Sequence, residues 1–276
     1  RFYYMKNRLD IYCVTDKDLD FLRDLDYKLA AVGKNKFSDQ YIRCDQEDNI
    51  FYKEEYYSEL TFHYWFWKNQ LKKYISNDEI WIGFCQKRRF WIQKKNNLDN
   101  PNNILKKNLL KYIPEEWVGH NAIICEPINL QVSKYSKIIK KGWRNIINDP
   151  TILFNKSRHS IKLHFDMFHG YGIIEKAIEA MNDKDKKEFK NFIFNSNKFN
   201  PHIMFIAKPK IVDLWFNDLF KWLDDCEKIF GFEKLKGYET KRLYAYLAER
   251  YLSYWFKRYS NSLEWPYIFI DKEKNS

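Results

Sequence analysis

An apolar run that ends in consecutive basic residues constrains the fold of this chain more than any other feature. Residues 79–85 predict a buried strand, and Lys87, Arg88 and Arg89 follow it after one glutamine. The carboxyl ends of strands in open α/β sheets are where ligands bind. Paired arginines there suit a phosphate or diphosphate group, because the guanidinium fork matches its oxygens. A solvated basic turn is the other interpretation of the same residues.

Length and charge bound the classes of protein to which the chain can belong. Its 276 residues suffice for one large domain with a sizeable core. The 48 Lys and Arg residues against 37 Asp and Glu residues give a formal net charge of +11. Such a charge favours anionic partners, namely nucleotide phosphates, nucleic acid or an acidic membrane surface, and does not choose among them.

The cysteines and the hydropathy favour a reducing compartment and no membrane span. The five cysteines lie far apart and form no C-x-x-C pair, which argues against structural zinc and a disulfide framework. They are Cys13, Cys44, Cys85, Cys125 and Cys226. No run approaches the roughly 18 apolar residues of a transmembrane helix. We expect a cytoplasmic protein without a secretory signal.

Short apolar strands alternate with amphipathic helices. The predicted strands are residues 9–15, 79–85, 121–125, 199–206 and 263–270, and the predicted helices are residues 53–72, 210–230 and 239–259. Residues 94–108, rich in Asn and Lys, predict a mobile loop. The alternation predicts an α/β fold with a mainly parallel central sheet flanked by helices. Neither G-x-G-x-x-G nor a P-loop pattern occurs, so a dinucleotide dehydrogenase and a P-loop kinase gain no support.

Several sequence blocks carry a resemblance to a known family. They are residues 57–61 (Y-S-E-L-T), 64–69 (Y-W-F-W-K-N), 83–91 (G-F-C-Q-K-R-R-F-W), 200–208 and 242–256. In this order they resemble the bacterial capsular and exopolysaccharide glycosyltransferase family that was first catalogued only as a domain of unknown function. Its members read Y-C-E-L-T, Y-W-A-W-K-N and Y-I-G-L-x-H-Y-R-R-Y-F, and the similarity spans nearly the whole chain.

The resemblance implies a single-domain, Rossmann-like A-type glycosyltransferase fold. Residues 1–126, approximately, would form the half that binds the nucleotide sugar, and residues 127–276 the half that holds the acceptor and the catalytic groups. The implied reaction moves a sugar from a nucleotide-sugar donor to a polysaccharide or lipid-linked oligosaccharide, and UDP is the nucleotide that we expect. Capsule, exopolysaccharide or O-antigen synthesis would be its setting.

The implied donor site lies at the ends of predicted strands. Arg88 and Arg89 would bind the diphosphate, at the place where A-type folds usually carry an Asp-x-Asp that holds a divalent metal. Thr15 and Asp16 end the first strand, where an aspartate can accept from a ribose hydroxyl or a uracil N–H, a plain turn being the alternative. Glu59, on a largely buried helix, would contact the donor or serve as a structural hydrogen-bond partner.

The chain departs from the family immediately before the paired arginines. The usual His-Tyr is replaced by Gln86 and Lys87, so a proton-transfer role for that histidine does not carry over. Residues 83–89 contain no carboxylate. We expect the arginines to supply the charge that a metal supplies elsewhere, while a divalent cation, Mn²⁺ or Mg²⁺, remains compatible with the other carboxylates.

The acceptor side has two candidate sets of catalytic groups. His164, Asp166 and His169 are polar residues in an apolar stretch, and their types suit proton transfer, sugar binding or metal ligation. Glu249 lies in an apolar helix, and A-type inverting transferases commonly place an acidic base on a late helix. Arg250 beside it would contact the acceptor or pair with the glutamate. Structural hydrogen bonding is the alternative in both sets.

Two further features concern the acceptor. His202, at the start of a predicted strand, would contact the acceptor sugar or have a structural role. Residues 134–147 combine an apolar stripe that includes Trp143 with five basic residues, which suits an anionic membrane surface and a lipid-linked acceptor. A surface helix docked on its own domain is the alternative.

Two other functions are compatible with this sequence. A basic nucleic-acid-binding α/β protein without catalytic activity would explain the charge and the aromatic residues, although no nucleic-acid-binding motif is found and we expect no nucleic-acid partner. A catalytically inactive member of the family, serving as a structural subunit, is the other.

Overall fold

The computed structural model describes residues 8–93, 108–132 and 135–271. The predicted loop at residues 94–108 lies almost wholly outside these described residues. The chain divides into two compact units. The first comprises Arg1–Glu126, His202–Asn217 and Phe256–Ser276, and the second comprises Pro127–Pro201 and Asp218–Trp255.

The secondary structure follows the predicted alternation of strands and helices. In chain order the strands are β1 (Arg8–Thr15), β2 (Lys28–Ala31), β3 (Ile42–Arg43), β4 (Ile80–Gln86), β5 (Arg89–Trp91), β6 (Ala122–Cys125), β7 (Ile128–Asn129), β8 (Lys198–Phe199), β9 (Phe205–Ala207), β10 (Ser262–Trp265) and β11 (Tyr267–Phe269). The α-helices are α1 (Asp20–Arg23), α2 (Glu54–Tyr57), α3 (Leu60–Asn69), α4 (Tyr135–Lys141), α5 (Trp143–Asn148), α6 (Ile161–His169), α7 (Ile173–Glu179), α8 (Asp183–Asn195), α9 (Pro209–Phe230), α10 (Tyr238–Lys241) and α11 (Leu243–Tyr259).

The first unit contains a mixed sheet that is mainly parallel. Its strand order is β10-β6-β9-β4-β1-β2-β3. β1 pairs in parallel with β2 and β4, β2 pairs with β3 in the same way, and so does β6 with β10. β9 runs antiparallel between β4 and β6, and β5 forms a hairpin with β4 and pairs with β11. The predicted α/β class with a mainly parallel central sheet flanked by helices is confirmed.

Both faces of this sheet are covered by packed side chains. Successive residues of each strand point to opposite faces. On one face Phe66 of α3 contacts Tyr12 and Phe84 at ring-centre distances of 4.9 and 5.4 Å. On the other face Trp117 contacts Trp81 at 5.0 Å and Trp265 at 5.6 Å. Burial on both sides explains why β4 is apolar from Ile80 to Cys85 and why β1 is apolar from Ile11 to Val14.

Gly83 in β4 has a packing role. A Cβ at this position would lie 2.8 Å from Ile206 Cγ1 and 3.1 Å from Ile11 Cγ1. The two isoleucines come from the strands on either side, β9 and β1, at the positions that pair with Gly83. They fill the space above the glycine, so the neighbouring side chains leave no room for a larger residue in this sequence block.

The structure corrects several predicted elements. Residues 53–72 form α2 and α3 instead of one helix, with Ser58 between them at a φ of 51°. A non-glycine residue held in this left-handed region costs about 1–3 kcal/mol, which tertiary contacts must offset. Residues 239–259 likewise form α10 and α11, with Arg242 between them. β2 and β3 have no counterpart among the predicted elements, because they are short and depend on pairing with the strand beside them.

The second unit is mainly helical. β7 and β8 form an antiparallel pair, and Phe189 of α8 contacts Trp222 at 5.8 Å and Tyr251 at 5.4 Å. A smaller apolar cluster around Leu163 and Met167 joins α6 to its neighbours. Within residues 8–93, 108–132 and 135–271, no helix is both long enough and apolar enough to cross a membrane.

Candidate functional site

The carboxyl ends of β1 and β4 lie side by side, because the strands are parallel and Val14 pairs with Gln86. This register brings the turn after β1 next to the turn after β4. We call the residues at these ends, together with Glu59, which precedes α3 and contacts Gln86, the edge site. Its members are Thr15, Asp16, Glu59, Gln86, Lys87, Arg88 and Arg89. All of the predicted donor contacts belong to it.

An ion pair joins the two strand ends. Lys87 Nζ lies 2.8 Å from Asp16 Oδ1, and 15% of the lysine side chain and 35% of the aspartate side chain are exposed. The Thr15 hydroxyl donates to Lys17 O at 2.7 Å and accepts from Lys17 N at 3.0 Å. The hydroxyl thereby fixes the turn after β1 and directs the Asp16 carboxylate towards the end of β4.

Gln86 connects Glu59 with Arg89. Its amide donates through Nε2 to Glu59 Oε1 and accepts through Oε1 from Arg89 Nη1 at 3.0 Å. A glutamine can do both at once, because its amide carries donors as well as an acceptor. The Arg89 guanidinium carbon also lies 5.3 Å from the ring centre of Phe269. The residue that replaces the family's histidine is therefore a link within the edge site, a role that the sequence did not indicate.

Arg88 lies in the tight turn between β4 and β5. Its Nη1 lies 3.5 Å from Asp271 Oδ2, and 35% of its side chain is exposed. Its carbonyl accepts from Ile270 N at 2.8 Å, which ties the turn to the segment after β11. Every cation of the edge site has an oxygen partner in the first unit, so an incoming anion would compete with these partners.

Arg43, at the end of β3, is a further cation at this edge of the sheet. Its guanidinium carbon lies 5.3 Å from the ring centre of Phe37 and 5.7 Å from that of Phe51. Its Nη2 lies 3.0 Å from Asp45 Oδ2. The sequence does not indicate a role for this residue, because a two-residue strand has no periodicity by which it could be recognised.

The edge site does not supply a ligand set for a divalent cation. Asp16 is engaged by Lys87 and Glu59 by Gln86. In the part of the chain that the structure describes, no three His, Cys, Asp or Glu side chains are grouped so that they could hold a metal ion. The described residues therefore do not fit a protein-held metal, and we assign them no metal role.

A second set of predicted residues comes together in the second unit around Arg250. Its Nη1 pairs with the Glu249 carboxylate, and its Nη2 lies 3.3 Å from His164 Nδ1. Its guanidinium carbon lies 4.1 Å from the ring centre of Phe199. Of the two paired side chains, 1% of Arg250 and 17% of Glu249 are exposed. The glutamate is therefore the member of the pair that a substrate can reach.

Both histidines near Arg250 are neutral at neutral pH. Burial and then the Arg250 charge lower the pKa of His164 to about 3 and that of His169 to about 4. Since arginine only donates, His164 Nδ1 accepts and its ring proton is on Nε2. His169 Nδ1 donates to Glu239 O at 2.9 Å, and its ring stacks on that of Tyr246 at 3.8 Å. We call His164, His169, Tyr246, Glu249 and Arg250 the histidine cluster.

Asp166 lies on α6 with the two histidines but is held by other groups. Its side chain is fully buried, at 0% exposure. Oδ2 accepts from Lys162 Nζ at 2.6 Å, and Oδ1 accepts from Gly172 N at 3.0 Å. Both oxygens therefore have partners that fix α6 and the start of α7. These contacts fit the alternative interpretation of Asp166, in which its hydrogen bonds have a structural role.

His202 lies in the first unit, in the turn before β9. Its φ is 67°, and its ring meets that of Tyr267 edge to face at 5.4 Å. A backbone in this region is uncommon for a residue other than glycine, so neighbouring contacts hold it there. A role in acceptor binding stays a prediction.

The fold that carries these residues is found in a solved glycosyltransferase. The apo structure of WbbM, described as a bifunctional glycosyltransferase, matches with a TM-score of 0.58 at 18% identity. The match covers 96% of this chain and 46% of that one, so this chain spans less than half of the length of WbbM. The class defined by the fold is therefore an α/β protein with a glycosyltransferase-type sheet.

The family follows from the sequence match. Residues 10–261 match the family described as "Domain of unknown function (DUF4422)", and the chain belongs to this family. The search of curated proteins found no match to this chain. The resemblance carried by the sequence blocks is confirmed as far as a family described as a domain of unknown function; its capsular and exopolysaccharide role stays a proposal.

Proposed function

We propose that this protein is a nucleotide-sugar-dependent glycosyltransferase that uses a UDP-linked donor. Its acceptor would be a growing polysaccharide or a lipid-linked oligosaccharide, in capsule, exopolysaccharide or O-antigen synthesis. The observation that carries the proposal is the edge site, where cations gather at the carboxyl ends of parallel strands. The likeness of the fold to a glycosyltransferase supports it.

The edge site suits the charge that develops during transfer. In the overall transfer the acceptor hydroxyl oxygen becomes bonded to the sugar C1 and gives its proton to a base, while the bond between C1 and the diphosphate oxygen breaks. Negative charge accumulates on the leaving diphosphate. Arg88 and Arg89 would stabilise this charge through charge-assisted hydrogen bonds, with Lys87 beside them. Asp16 and Glu59 would then accept hydrogen bonds from hydroxyl groups of the donor.

Replacing Arg88 or Arg89 with alanine should weaken UDP binding by about 1.5–3 kcal/mol, the value of a lost charge-assisted hydrogen bond. Isothermal titration calorimetry at fixed low salt measures the change. Arg8→Ala is the matched control, because Arg8 lies at the opposite end of β1, paired with Asp10. Unchanged UDP affinity in both single variants, or an equal loss in the control, would refute a diphosphate role for the pair.

On the acceptor side we assign Glu249 the role of base, because it is the reachable carboxylate of the histidine cluster. His164 and His169 would serve as neutral hydrogen-bonding groups for acceptor hydroxyls. Arg250 would orient Glu249. Asp166 is the less favoured candidate for the base, because both of its carboxylate oxygens already accept hydrogen bonds.

A surface of the second unit suits contact with an anionic membrane. Ile139, Trp143 and Ile147 are exposed to 56%, 52% and 68%. We call these residues, with Lys137, Lys140 and Arg144 among them, the basic surface. Lys141 is already paired with Glu239, and Lys134 lies outside the described residues. Exposed apolar side chains among cations favour the membrane over the alternative of a helix docked entirely on its own domain.

Changing Lys137, Lys140 and Arg144 together to glutamate should abolish binding to anionic vesicles, because each basic residue near such a surface contributes about 1 kcal/mol. Co-sedimentation with phosphatidylglycerol and with phosphatidylcholine vesicles measures this. The same charge change at the exposed residues Lys221, Lys234 and Lys236 is the control. Equal binding of wild type to both kinds of vesicle would contradict the proposal.

A further inference from the structure

A cleft of about 650 Å³ opens in the second unit, lined by residues of α5 to α8 and of the segment between α5 and α6. Its volume lies within the roughly 300–1,000 Å³ that is usual for sites that bind small ligands. Asparagines recur along its wall. They are Asn145, Asn148, Asn155 and Asn195. We call it the amide cleft.

The charges in the amide cleft balance one another. Each basic residue has an acidic neighbour: Lys162 Nζ lies 3.5 Å from Glu175 Oε1, and Arg158 Nε lies 3.9 Å from Asp149 Oδ2. A phosphate entering the cleft would meet a carboxylate beside each cation. The cleft therefore suits an uncharged ligand.

The polar groups of the amide cleft are held in fixed positions. Asn148 Nδ2 donates to the Tyr171 hydroxyl at 2.6 Å, and Lys162 Nζ donates to Asn145 Oδ1 at 3.3 Å. Burial alone would lower the pKa of Lys162, but the hydrogen bond and charge of Asp166 outweigh it and raise the pKa. The ammonium group therefore stays charged. Amides offer donors and acceptors together, which is the pattern that sugar hydroxyls require.

Two aromatic rings complete the amide cleft. Lys162 Nζ lies 5.3 Å from the ring centre of Tyr171 and 5.8 Å from that of Phe194, so both rings border the same point of the cleft. Tyr171 is 40% exposed. A flat, partly exposed ring can pack against the apolar face of a sugar, while the amides bond its hydroxyls.

We propose that the amide cleft binds a short, uncharged stretch of the acceptor glycan, at a distance from the reacting hydroxyl. This inference rests on the proposed function, because it assigns a subsite to the acceptor. Lys162 and His164 are two residues apart on α6 and so point about 200° apart around the helix axis. The amide cleft and the histidine cluster therefore use opposite faces of α6.

The amide cleft adjoins the basic surface. The Arg144 guanidinium carbon lies 5.2 Å from the ring centre of Trp143 and 5.7 Å from that of Tyr171. A glycan carried on a membrane lipid would thus meet the cleft close to where the protein rests on the membrane. This arrangement favours the part of the glycan nearest the lipid as the occupant.

The test is direct binding of sugars to the full chain. A panel of short neutral oligosaccharides of glucose, galactose and mannose, and inorganic phosphate, would be titrated and followed by saturation-transfer NMR. We expect binding of at least one neutral oligosaccharide. Tyr171→Ala and the double variant Asn148→Ala/Asn195→Ala should each weaken that binding roughly tenfold or more. Tyr112→Ala, an exposed tyrosine of the first unit, is the matched control and should bind as wild type.

The outcomes separate this inference from the proposed function. Glu249→Gln should bind the oligosaccharide normally, since Glu249 does not line the cleft. Loss of sugar transfer in that variant therefore does not bear on binding in the cleft. The inference is overturned if no oligosaccharide of the panel binds. It is also overturned if binding persists in both cleft variants with wild-type melting temperatures, or if phosphate competes for the site.

Discussion

Replacing Glu249 with glutamine should lower the rate of sugar transfer roughly 10²–10⁴-fold, the usual contribution of a general base, while UDP affinity is unchanged. The histidines beside Glu249 cannot substitute for it, because pKa values of about 3 and about 4 make His164 and His169 weak bases. Glutamine keeps an oxygen that can accept from Arg250 but removes the charge that offsets this buried guanidinium. A fall in melting temperature is therefore expected, and the rate is compared at a temperature at which the variant is folded. The initial rate of UDP release, with the UDP-sugar that wild type turns over fastest, measures the effect.

Asp166→Asn is the matched control for this experiment. The Asp166 carboxylate pairs with Lys162 and accepts from Gly172 N while fully buried. Removing its charge should therefore lower the melting temperature. The loss should stay below the roughly 3–5 kcal/mol of a fully unpaired buried charge, because Lys162 keeps Glu175 as a partner. A well-folded Asp166→Asn protein with a large loss of rate, beside a nearly fully active Glu249→Gln protein, would show that Asp166 is the base and that Glu249 has the structural role.

The free energy of unfolding should fall steeply as the pH drops below about 6.5, the ordinary histidine pKa. His63, His164 and His169 are buried, and burial is the first cause of their lowered pKa values, about 3, about 3 and about 4. A group with a lowered native pKa binds its proton first in the unfolded chain. Each histidine should thus remove about 1.4 kcal/mol of stability per pH unit, from pH 6.5 down to its native pKa.

Urea unfolding at pH values between 7.5 and 5 measures this dependence. His63 packs against Phe84 and Phe216 at ring-centre distances of 4.4 and 5.6 Å, so its contribution arises in the first unit. His164→Asn should reduce the slope by the share of one histidine, because an asparagine oxygen can accept from Arg250 without titrating. Stability that stays constant or rises between pH 6.5 and 5 would show that these histidines are not buried as neutral groups.

Some elements were predictable because their signal is local. Residues 9–15, 79–85 and 121–125 are short segments rich in apolar residues, and each coincides with a strand of the sheet. The amphipathic pattern at residues 210–230 is likewise the long helix α9. The break at Ser58 was not predictable, because a serine with a φ of 51° goes against its own local preference. Tertiary contacts impose that conformation.

The fold class, the family and the chemical types at the edge site follow from the amino-acid sequence alone, because periodicity and short motifs are properties of neighbouring residues. Which of these residues meet depends on how the chain packs. Arg250 and His164 are 86 positions apart in the chain, and only packing brings the guanidinium to the imidazole. Long-range contacts of this kind leave no pattern in a single sequence, so only the folded chain shows them.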